Sequence, residues 1–323
     1  MIGGRIKHED AKTRRAPRGA FFTAPVGVAA LFGFVFFVGG CGARTSPGDQ
    51  SLIEQGDALH RALAPAVVDD ARLRGYMQQI GARLLGAARD VMKEQFSSRA
   101  VEEGEWKFSR EMQFHVAKSS IPNAFTTGGH HVYILLPGLQ KCQNEDELAA
   151  ALIHSYSHTL LRHIERNIPP AGPDAPAGII VLRFVEHRFN PKHEQEADDL
   201  AFRIHARAGW DPVAFVSMLE HLGAERGRVA AIGSKLERLP PAAQEWSRPP
   251  IADAKRFEEH QAQAAATANQ KRAPQAVERL LAAIPNCFLP EDLAAQREAQ
   301  RELMTPASSE TPNTFEKGQR ERR

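Results

Sequence analysis

The stretch ELAAALIHSYSHTLLRH at residues 147–163 decides the fold. Its apolar residues recur at helical spacing, and Asn144 stands where an N-cap belongs, with Glu147 three residues later in a capping-box relation. The pattern predicts a helix from about Glu145 to Asn167. His154 and His158 lie four residues apart on this helix, so both imidazoles project from one face and can bind one metal ion.

Two histidines on one helix are equally typical of an ordinary surface or core face, so a third ligand has to decide between the interpretations. The run HEQEADDL at residues 193–200 predicts a second helix, on which Glu194 and Asp198 share a face. Glu194 would reach the metal, and Asp198 would accept a hydrogen bond from a ligating histidine. Alternatively, the acidic residues of this run form a solvated face that pairs with Lys192 and Arg203.

Both stretches resemble peptidase family M48, a family of zinc metallopeptidases of the gluzincin type. The first is similar to the zinc helix of the family, and EQEAD at residues 194–198 is similar to its E-x-x-A-D helix. The likeness spans roughly residues 69–258 and includes AGWDP at residues 208–212. It implies that one Zn²⁺ per chain is bound by His154, His158 and Glu194, and that Asp198 lies behind the ligands. His163 is interpreted as structural.

The resemblance also implies a fold and a class of substrate. The fold is α+β and mostly helical, with a small antiparallel sheet and a zinc site between the H-x-x-x-H helix and the E-x-x-A-D helix. Trp106–Ala117 and His131–Leu136 are the predicted strands. The strand near His131–Leu136 would hold an extended peptide by β-pairing. The partners are therefore unfolded or extended proteins.

Ser155 departs from the family pattern. The family has a glutamate directly after the first histidine, where it acts as the general base. A serine hydroxyl is shorter and is a poor base at neutral pH, so zinc binding should persist while peptide hydrolysis suffers. A second departure is Arg248, which stands where the family often has a His-Pro pair and would stabilise an oxyanion or lie on the surface.

The amino terminus has the pattern of an export signal. A positively charged leader is followed by an uncharged stretch from Ala20 to Val38 and then by Val-Gly-Gly before Cys41. This order resembles the bacterial lipobox, which predicts a lipid anchor on Cys41; the alternative is an uncleaved signal anchor. Both place the domain outside the cytoplasm, in the cell envelope, and in an organism with an outer membrane Gly42 favours the periplasmic side of that membrane.

The domain boundaries follow from these patterns. We expect a signal peptide at residues 1–40, a tether at 41–50, the metallopeptidase-like domain at 51–290, and a helix end with a disordered tail at 291–323. Within the domain, further helices are predicted at Leu52–Leu63, Asp69–Gln95, Pro191–Ala208, Asp211–Leu222, Ile251–Ala266 and Gln275–Ile284.

The charge argues against a nucleic-acid partner, and the cysteine content argues against a disulfide scaffold. The formal net charge is +2 and no basic stripe with aromatics is present, so a nucleic-acid partner is not supported. The three cysteines are too few for a disulfide scaffold. Cys142 and Cys287 either form one disulfide or remain free thiols.

Three functions fit these observations. The first is a membrane-tethered zinc metalloendopeptidase-like protein of the envelope with catalysis impaired at Ser155, acting as a weakened enzyme or as a zinc-stabilised binder of unfolded proteins. In the second, another carboxylate such as Glu196, or one from the segment Pro169–Asn190, supplies the base. In the third, the chain is a structural lipoprotein that binds no metal.

Overall fold

The computed structural model describes residues 45–167, 189–239, 251–270 and 273–288 of the chain. The predicted signal peptide, Cys41, Arg248 and the predicted tail at 291–323 lie outside the described residues. Within those ranges, no helix is both long and apolar enough to span a membrane. The helices are α1 (Pro47–Leu63), α2 (Ala71–Gln95), α3 (Ser98–Glu103), α4 (Leu136–Lys141), α5 (Glu145–Leu160), α6 (His163–Asn167), α7 (Pro191–Arg207), α8 (Pro212–His221), α9 (Arg226–Leu236), α10 (Ile251–Gln270) and α11 (Gln275–Ala283), and the strands are β1 (Gln113–Ala117), β2 (Ala124–Thr126) and β3 (His131–Leu135).

Helix α5 is the centre of the core. Every residue from Asp146 to Leu160 is buried, because α2, α7, α8 and strands β2 and β3 pack around it. The run of small residues at 149–151 lets these neighbours approach closely on all sides. The mostly helical α+β fold predicted from the sequence is confirmed, and the two histidines of α5 lie deep inside it.

The sheet is mixed, so the prediction of a purely antiparallel sheet is wrong. Its strand order is β1-β3-β2, with β1 parallel to β3 and β2 antiparallel to β3. After β1 the chain crosses to the far edge and runs back as β2, and a tight turn at Gly128 reverses it again, so the inserted β3 runs the same way as β1. Residues 105–108 form a 3-10 turn instead of extending β1.

This topology corrects the predicted position of a bound peptide. Strand β3 is paired on both sides, so the segment near His131–Leu136 has no free edge for a substrate. Strand β2 lies at an edge of the sheet, with Ala124 opposite Ile134 and its other side turned away from β3. The other edge strand is β1, whose end already pairs with residues 66–68, so β2 is the strand available to pair with an extended chain.

The predicted helix Glu145–Asn167 is divided into α5 and α6. The break falls at Arg162, whose φ of 57° is left-handed and costs free energy for a residue with a Cβ. The guanidinium of Arg162 lies 3.3 Å from the buried carboxylate of Asp49 and 2.6 Å from Glu165. These contacts to α1 and α6 stabilise a turn that periodicity alone does not predict.

Side-chain caps set most of the other helix ends close to the predicted positions. Asn144 accepts a hydrogen bond from the Glu147 amide at 2.8 Å, and Asn190 accepts one from the His193 amide at 2.9 Å. Helix α1, however, begins inside the predicted tether. Ser46 accepts a hydrogen bond from the Asp49 amide, and a proline at the first position favours helical φ, so the helix starts at Pro47.

Candidate metal centre

His154 and His158 lie one turn apart on α5 with their rings 5.2 Å apart and nearly perpendicular. Both side chains are buried, with relative exposures of 0% and 1%. Their positions on one face follow from the helical repeat, and their burial follows from the packing of α7 over that face. Nε2 of each ring has no hydrogen-bond partner among the described residues.

Glu194 on α7 completes a group of three. Its Oε2 lies 3.4 Å from Nε2 of His154, and its Oε1 lies 3.7 Å from Nε2 of His158. Oε2 is also buried and makes no hydrogen bond within the described part of the chain. Three ligand-type atoms therefore converge without a hydrogen bond, and the two histidine nitrogens have no partner within the described ranges, which is costly unless an ion binds between them.

The other ring nitrogen of each histidine is held by the protein. Nδ1 of His154 lies 2.8 Å from Oδ1 of Asp198, although its N–H direction is not well aligned with that oxygen. Nδ1 of His158 lies 3.2 Å from Nδ1 of His163, and Nε2 of His163 lies 3.1 Å from Oε2 of Glu196. The carboxylate of Glu196 can only accept, so His163 donates to it and accepts from His158. That assignment leaves Nε2 of His158 with a free lone pair.

His158 is in the neutral form that a metal ligand requires. Burial, followed by the neighbouring His154 and His163 rings, holds the pKa of His158 well below its usual value. His163 also stacks on His193, with ring centroids 4.3 Å apart. His163 therefore contacts His158 through the ring nitrogen Nδ1, on the side away from Nε2. This position agrees with a structural role for His163.

Comparison with known proteins gives the same family as the sequence motifs. The profile for Peptidase family M48 matches residues 89–172, which include β1, β2, β3 and the whole of α5. The resemblance to peptidase family M48 is confirmed. The match ends before Glu194, Asp198, Arg228 and Cys287. The assignment of these four residues to the site therefore rests on their positions in the structure.

Two curated relatives show the extent of the likeness. The mitochondrial metalloendopeptidase OMA1 of Schizosaccharomyces pombe is 29% identical over 134 residues, covering 36% of this chain and 39% of that protein. The beta-barrel assembly-enhancing protease of Escherichia coli (strain K12) is 25% identical over 197 residues, covering 53% of this chain and 37% of that protein. The chain thus spans less than two fifths of the length of either relative.

Ser155 occupies the position after the first histidine of this M48-type helix. It is buried, and its Oγ donates to the carbonyl of Ala151 at 3.1 Å, so the hydroxyl is turned back onto its own helix. Beside it is a cavity of about 20 Å³, whose lining includes His158, Phe189 and Cys287. A space of this size holds about one water molecule.

Arg228 on α9 is a site residue that the sequence motifs do not reveal. Its Nε and Nη2 donate to the two carboxylate oxygens of Asp198 at 2.8 and 2.9 Å, and Nη1 donates to the carbonyl of Cys287. Nη2 also lies 3.2 Å from Oε2 of Glu194. Burial acts to lower the pKa of Arg228 and to raise that of Asp198. The pairing between the two outweighs burial, so the pKa of Arg228 is raised and that of Asp198 is lowered.

Cys287 is the second unpredicted residue. Its thiol lies close to the three residues described above. Each of the four residues His154, His158, Glu194 and Cys287 offers one ligand atom, and these four atoms all lie within 4.8 Å of one another. Cys287 and Cys142 are both free thiols in the structure. Of the two predicted alternatives, one disulfide or two free thiols, the structure has the second. A lone cysteine more than ninety residues from Glu194 carries no spacing signal, and only the fold brings it to α5.

Proposed function

We propose that this chain is a zinc-binding, M48-type metallopeptidase-like protein of the cell envelope that acts on unfolded or extended proteins, with peptide hydrolysis impaired at Ser155. The observation that carries the proposal is the convergence of three buried ligand atoms on His154, His158 and Glu194, none of which makes a hydrogen bond within the described residues. Zinc takes nitrogen and oxygen ligands at about 2.0–2.2 Å, so tetrahedral ligand atoms lie roughly 3.3–3.6 Å apart. One oxygen of Glu194 lies 3.4 Å from Nε2 of His154 and the other lies 3.7 Å from Nε2 of His158, which is close to those spacings.

The ligands alone do not provide peptide hydrolysis. Zinc supplies Lewis acidity, which polarises a substrate carbonyl and acidifies water. A general base must take the proton, and the described residues that line the cavity beside Ser155 include no carboxylate; residues 168–188 lie outside the described ranges. Loss of general acid-base catalysis lowers the rate by about 10²- to 10⁴-fold. We therefore expect a zinc site with slow turnover or none.

The contacts of Glu196 oppose the hypothesis that it replaces the missing base. Its Oε2 is bound to His163 at 3.1 Å, and its Oε1 lies 3.8 Å from Lys192. It therefore acts on His158 through His163 and faces the far side of the ligands. A metal-free structural role is opposed by the cost of burying Nε2 of His154 and Nε2 of His158 without hydrogen-bond partners among the described residues. A zinc-stabilised binder of unfolded proteins is the second candidate, and the missing base favours it.

The envelope location and the lipid anchor are part of the proposal. They are supported by the charged leader, the uncharged stretch and Cys41 in the sequence. The Escherichia coli relative is described as a beta-barrel assembly-enhancing protease, which supports a protein substrate at the envelope for this chain. Arg248 stays a tentative contributor to oxyanion stabilisation on sequence grounds alone.

The test is to count zinc and measure cleavage in one set of full-length proteins. Wild type, Ser155→Glu and the metal-ligand control His154→Ala are purified without a histidine tag, and their unfolding transitions are compared. Zinc is quantified by elemental analysis, and cleavage is followed on an unfolded, fluorescently labelled protein.

We expect about one zinc per chain in wild type and Ser155→Glu, little in His154→Ala, and faster cleavage by Ser155→Glu than by wild type. A folded wild type without zinc would refute the site. A zinc-loaded wild type that cleaves as fast as Ser155→Glu, with no cleavage by His154→Ala, would refute the impairment while leaving the site intact.

A further inference from the structure

The C-terminal segment Ile284–Phe288 brings Cys287 to the three proposed zinc ligands. Its thiol belongs to the group of four whose ligand atoms lie within 4.8 Å of one another. The other three members are at least nine-tenths buried, and Nε2 of His154, Nε2 of His158 and Oε2 of Glu194 lack hydrogen-bond partners within the described ranges. The sulfur therefore lies beside atoms that already require an ion.

Several contacts hold this segment in place. Arg228 donates to the carbonyl of Cys287 itself. Asn123 donates to the carbonyl of Pro285 at 3.2 Å, and Asn286 donates to the carbonyl of Pro122 at 2.6 Å. These bonds hold residues 285–287, so Cys287 is positioned by the fold.

The ring of Phe288 adds an apolar anchor next to the ligands. It is 1% exposed, and its centroid lies 4.8 Å from that of His154. Ile284 at the other end of the segment is equally buried. Two buried side chains therefore flank the thiol, and the burial of their apolar surface holds the segment on the core.

The segment also covers the free side of β2. Asn123 precedes β2, and Ala124 is its first residue; the thiol of Cys287 lies 3.7 Å from the carbonyl of Ala124. This is the edge at which an extended peptide would pair with the sheet. The C-terminal segment thus takes part of the place of a substrate while its sulfur faces the ligands.

We propose that Cys287 is the fourth protein ligand of the zinc ion, which closes the site as a His₂-Glu-Cys centre. The inference rests on the zinc site proposed above. Thiolate is a preferred zinc ligand at about 2.3 Å, and four protein ligands are the mark of structural zinc sites, whereas catalytic sites keep one position open. The thiol proton is released to solvent as the S–Zn bond forms. The four ligand atoms lie up to 4.8 Å apart in the structure. Tetrahedral zinc ligands lie about 3.6 Å apart, so the most distant pair must approach by roughly 1 Å when the ion binds.

Closure and the loss of the base at Ser155 have the same consequence. With Cys287 bound, no coordination position is free for water or a substrate carbonyl, and the edge of β2 is covered. The ion then ties α5, α7 and the C-terminal segment together. This arrangement favours a stabilised, non-catalytic state over an open enzyme.

The test is zinc X-ray absorption spectroscopy on the full-length chain, with Cys287→Ser as the variant and Cys142→Ser as the matched control. Cys142 is a buried thiol that donates to the carbonyl of Gly138, and it belongs to none of the clusters of metal-ligand type found among the described residues. We expect one sulfur at about 2.3 Å in wild type and in Cys142→Ser. Cys287→Ser should lose the sulfur and keep the nitrogen and oxygen ligands.

Two further readouts use the same proteins. Cobalt substitution should give a thiolate-to-cobalt charge-transfer band in wild type that Cys287→Ser lacks. In peptide-mapped alkylation, zinc should protect Cys287 and its removal should expose it. Adding Cys287→Ser to Ser155→Glu should increase cleavage beyond that of Ser155→Glu alone.

The outcomes separate this inference from the zinc site on which it rests. Zinc bound by nitrogen and oxygen alone in wild type overturns the role of Cys287 and leaves the three-ligand site standing. A sulfur signal that persists in Cys287→Ser also overturns it. Absence of zinc from folded wild type overturns both.

Discussion

Replacement of Arg228 by methionine should destabilise the protein more than any exposed arginine replacement. The guanidinium is 11% exposed and makes two hydrogen bonds to Asp198, at 2.8 and 2.9 Å, and one to the carbonyl of Cys287. Methionine matches the length of the side chain but leaves the buried carboxylate of Asp198 without its cation. Breaking a buried pair by removing one partner costs about 3–5 kcal/mol.

The zinc state changes the size of that loss. The zinc-free protein should lose about 3 kcal/mol, because Asp198 keeps its buried charge without Arg228. The loaded protein should lose about 1.4–2.8 kcal/mol more, because the weaker zinc binding adds to that loss. The loss of the zinc-free protein alone corresponds to roughly 6–12 °C in Tm for a domain of this size. Zinc affinity should fall by about 10- to 100-fold, because Asp198 and the Cys287 backbone lose their support.

The assay is urea unfolding at neutral pH with and without added zinc, together with a competition titration against a chelator. The matched control is Arg89→Met, since Arg89 lies 2.7 Å from Glu105 with 46% of its side chain exposed. An exposed pair of this kind contributes up to about 1 kcal/mol. If Arg228→Met loses no more stability and no more zinc affinity than Arg89→Met, the structural role assigned to Arg228 is refuted.

Further predictions concern acid stability and the packing of α2. Burial, followed by the charges of His60 and His131, lowers the pKa of His115 to about 3, so this histidine binds a proton in the unfolded chain before it does so in the folded one. Its contribution to stability is complete above the unfolded pKa near 6.5 and is lost at about 1.4 kcal/mol per unit as pH falls toward 3. Between pH 7 and pH 5, wild type should therefore lose about 2 kcal/mol more than His115→Leu in urea unfolding, and equal losses would contradict this. On α2, a Cβ at Gly81 would overlap the buried ring of Phe114, whereas a Cβ at Gly86 would meet no atom within 4 Å. Gly81→Ala should destabilise the protein by about 1–3 kcal/mol, and Gly86→Ala should leave it unchanged or stabilise it by up to about 1 kcal/mol. The same sign of change for both alanines in thermal unfolding would argue against the packing of α2 on β1.

Much of the helical framework could be predicted because helices are determined locally. The spacing of His154 and His158 and that of Glu194 and Asp198 each place two side chains on one face, whatever surrounds the helix. Caps such as Asn144 act within one turn and fix helix starts in the same local way. The departure at Ser155 is likewise visible in the sequence, because it is a change of residue type at a known position of a motif.

The remaining features were decided by contacts between segments that are distant in the chain. The direction of β1 relative to β3 depends on which edge of the sheet the intervening chain reaches, and no periodicity reports that. The turn at Arg162 depends on an ion pair with Asp49 on α1. Arg228 and Cys287 lie in no motif, and they reach Glu194 and Asp198 only because α9 and the C-terminal segment pack against the zinc helices. The sequence by itself therefore determined which side chains are suited to hold a metal, and the tertiary structure decided which of them meet, since convergence depends on packing and not on local spacing.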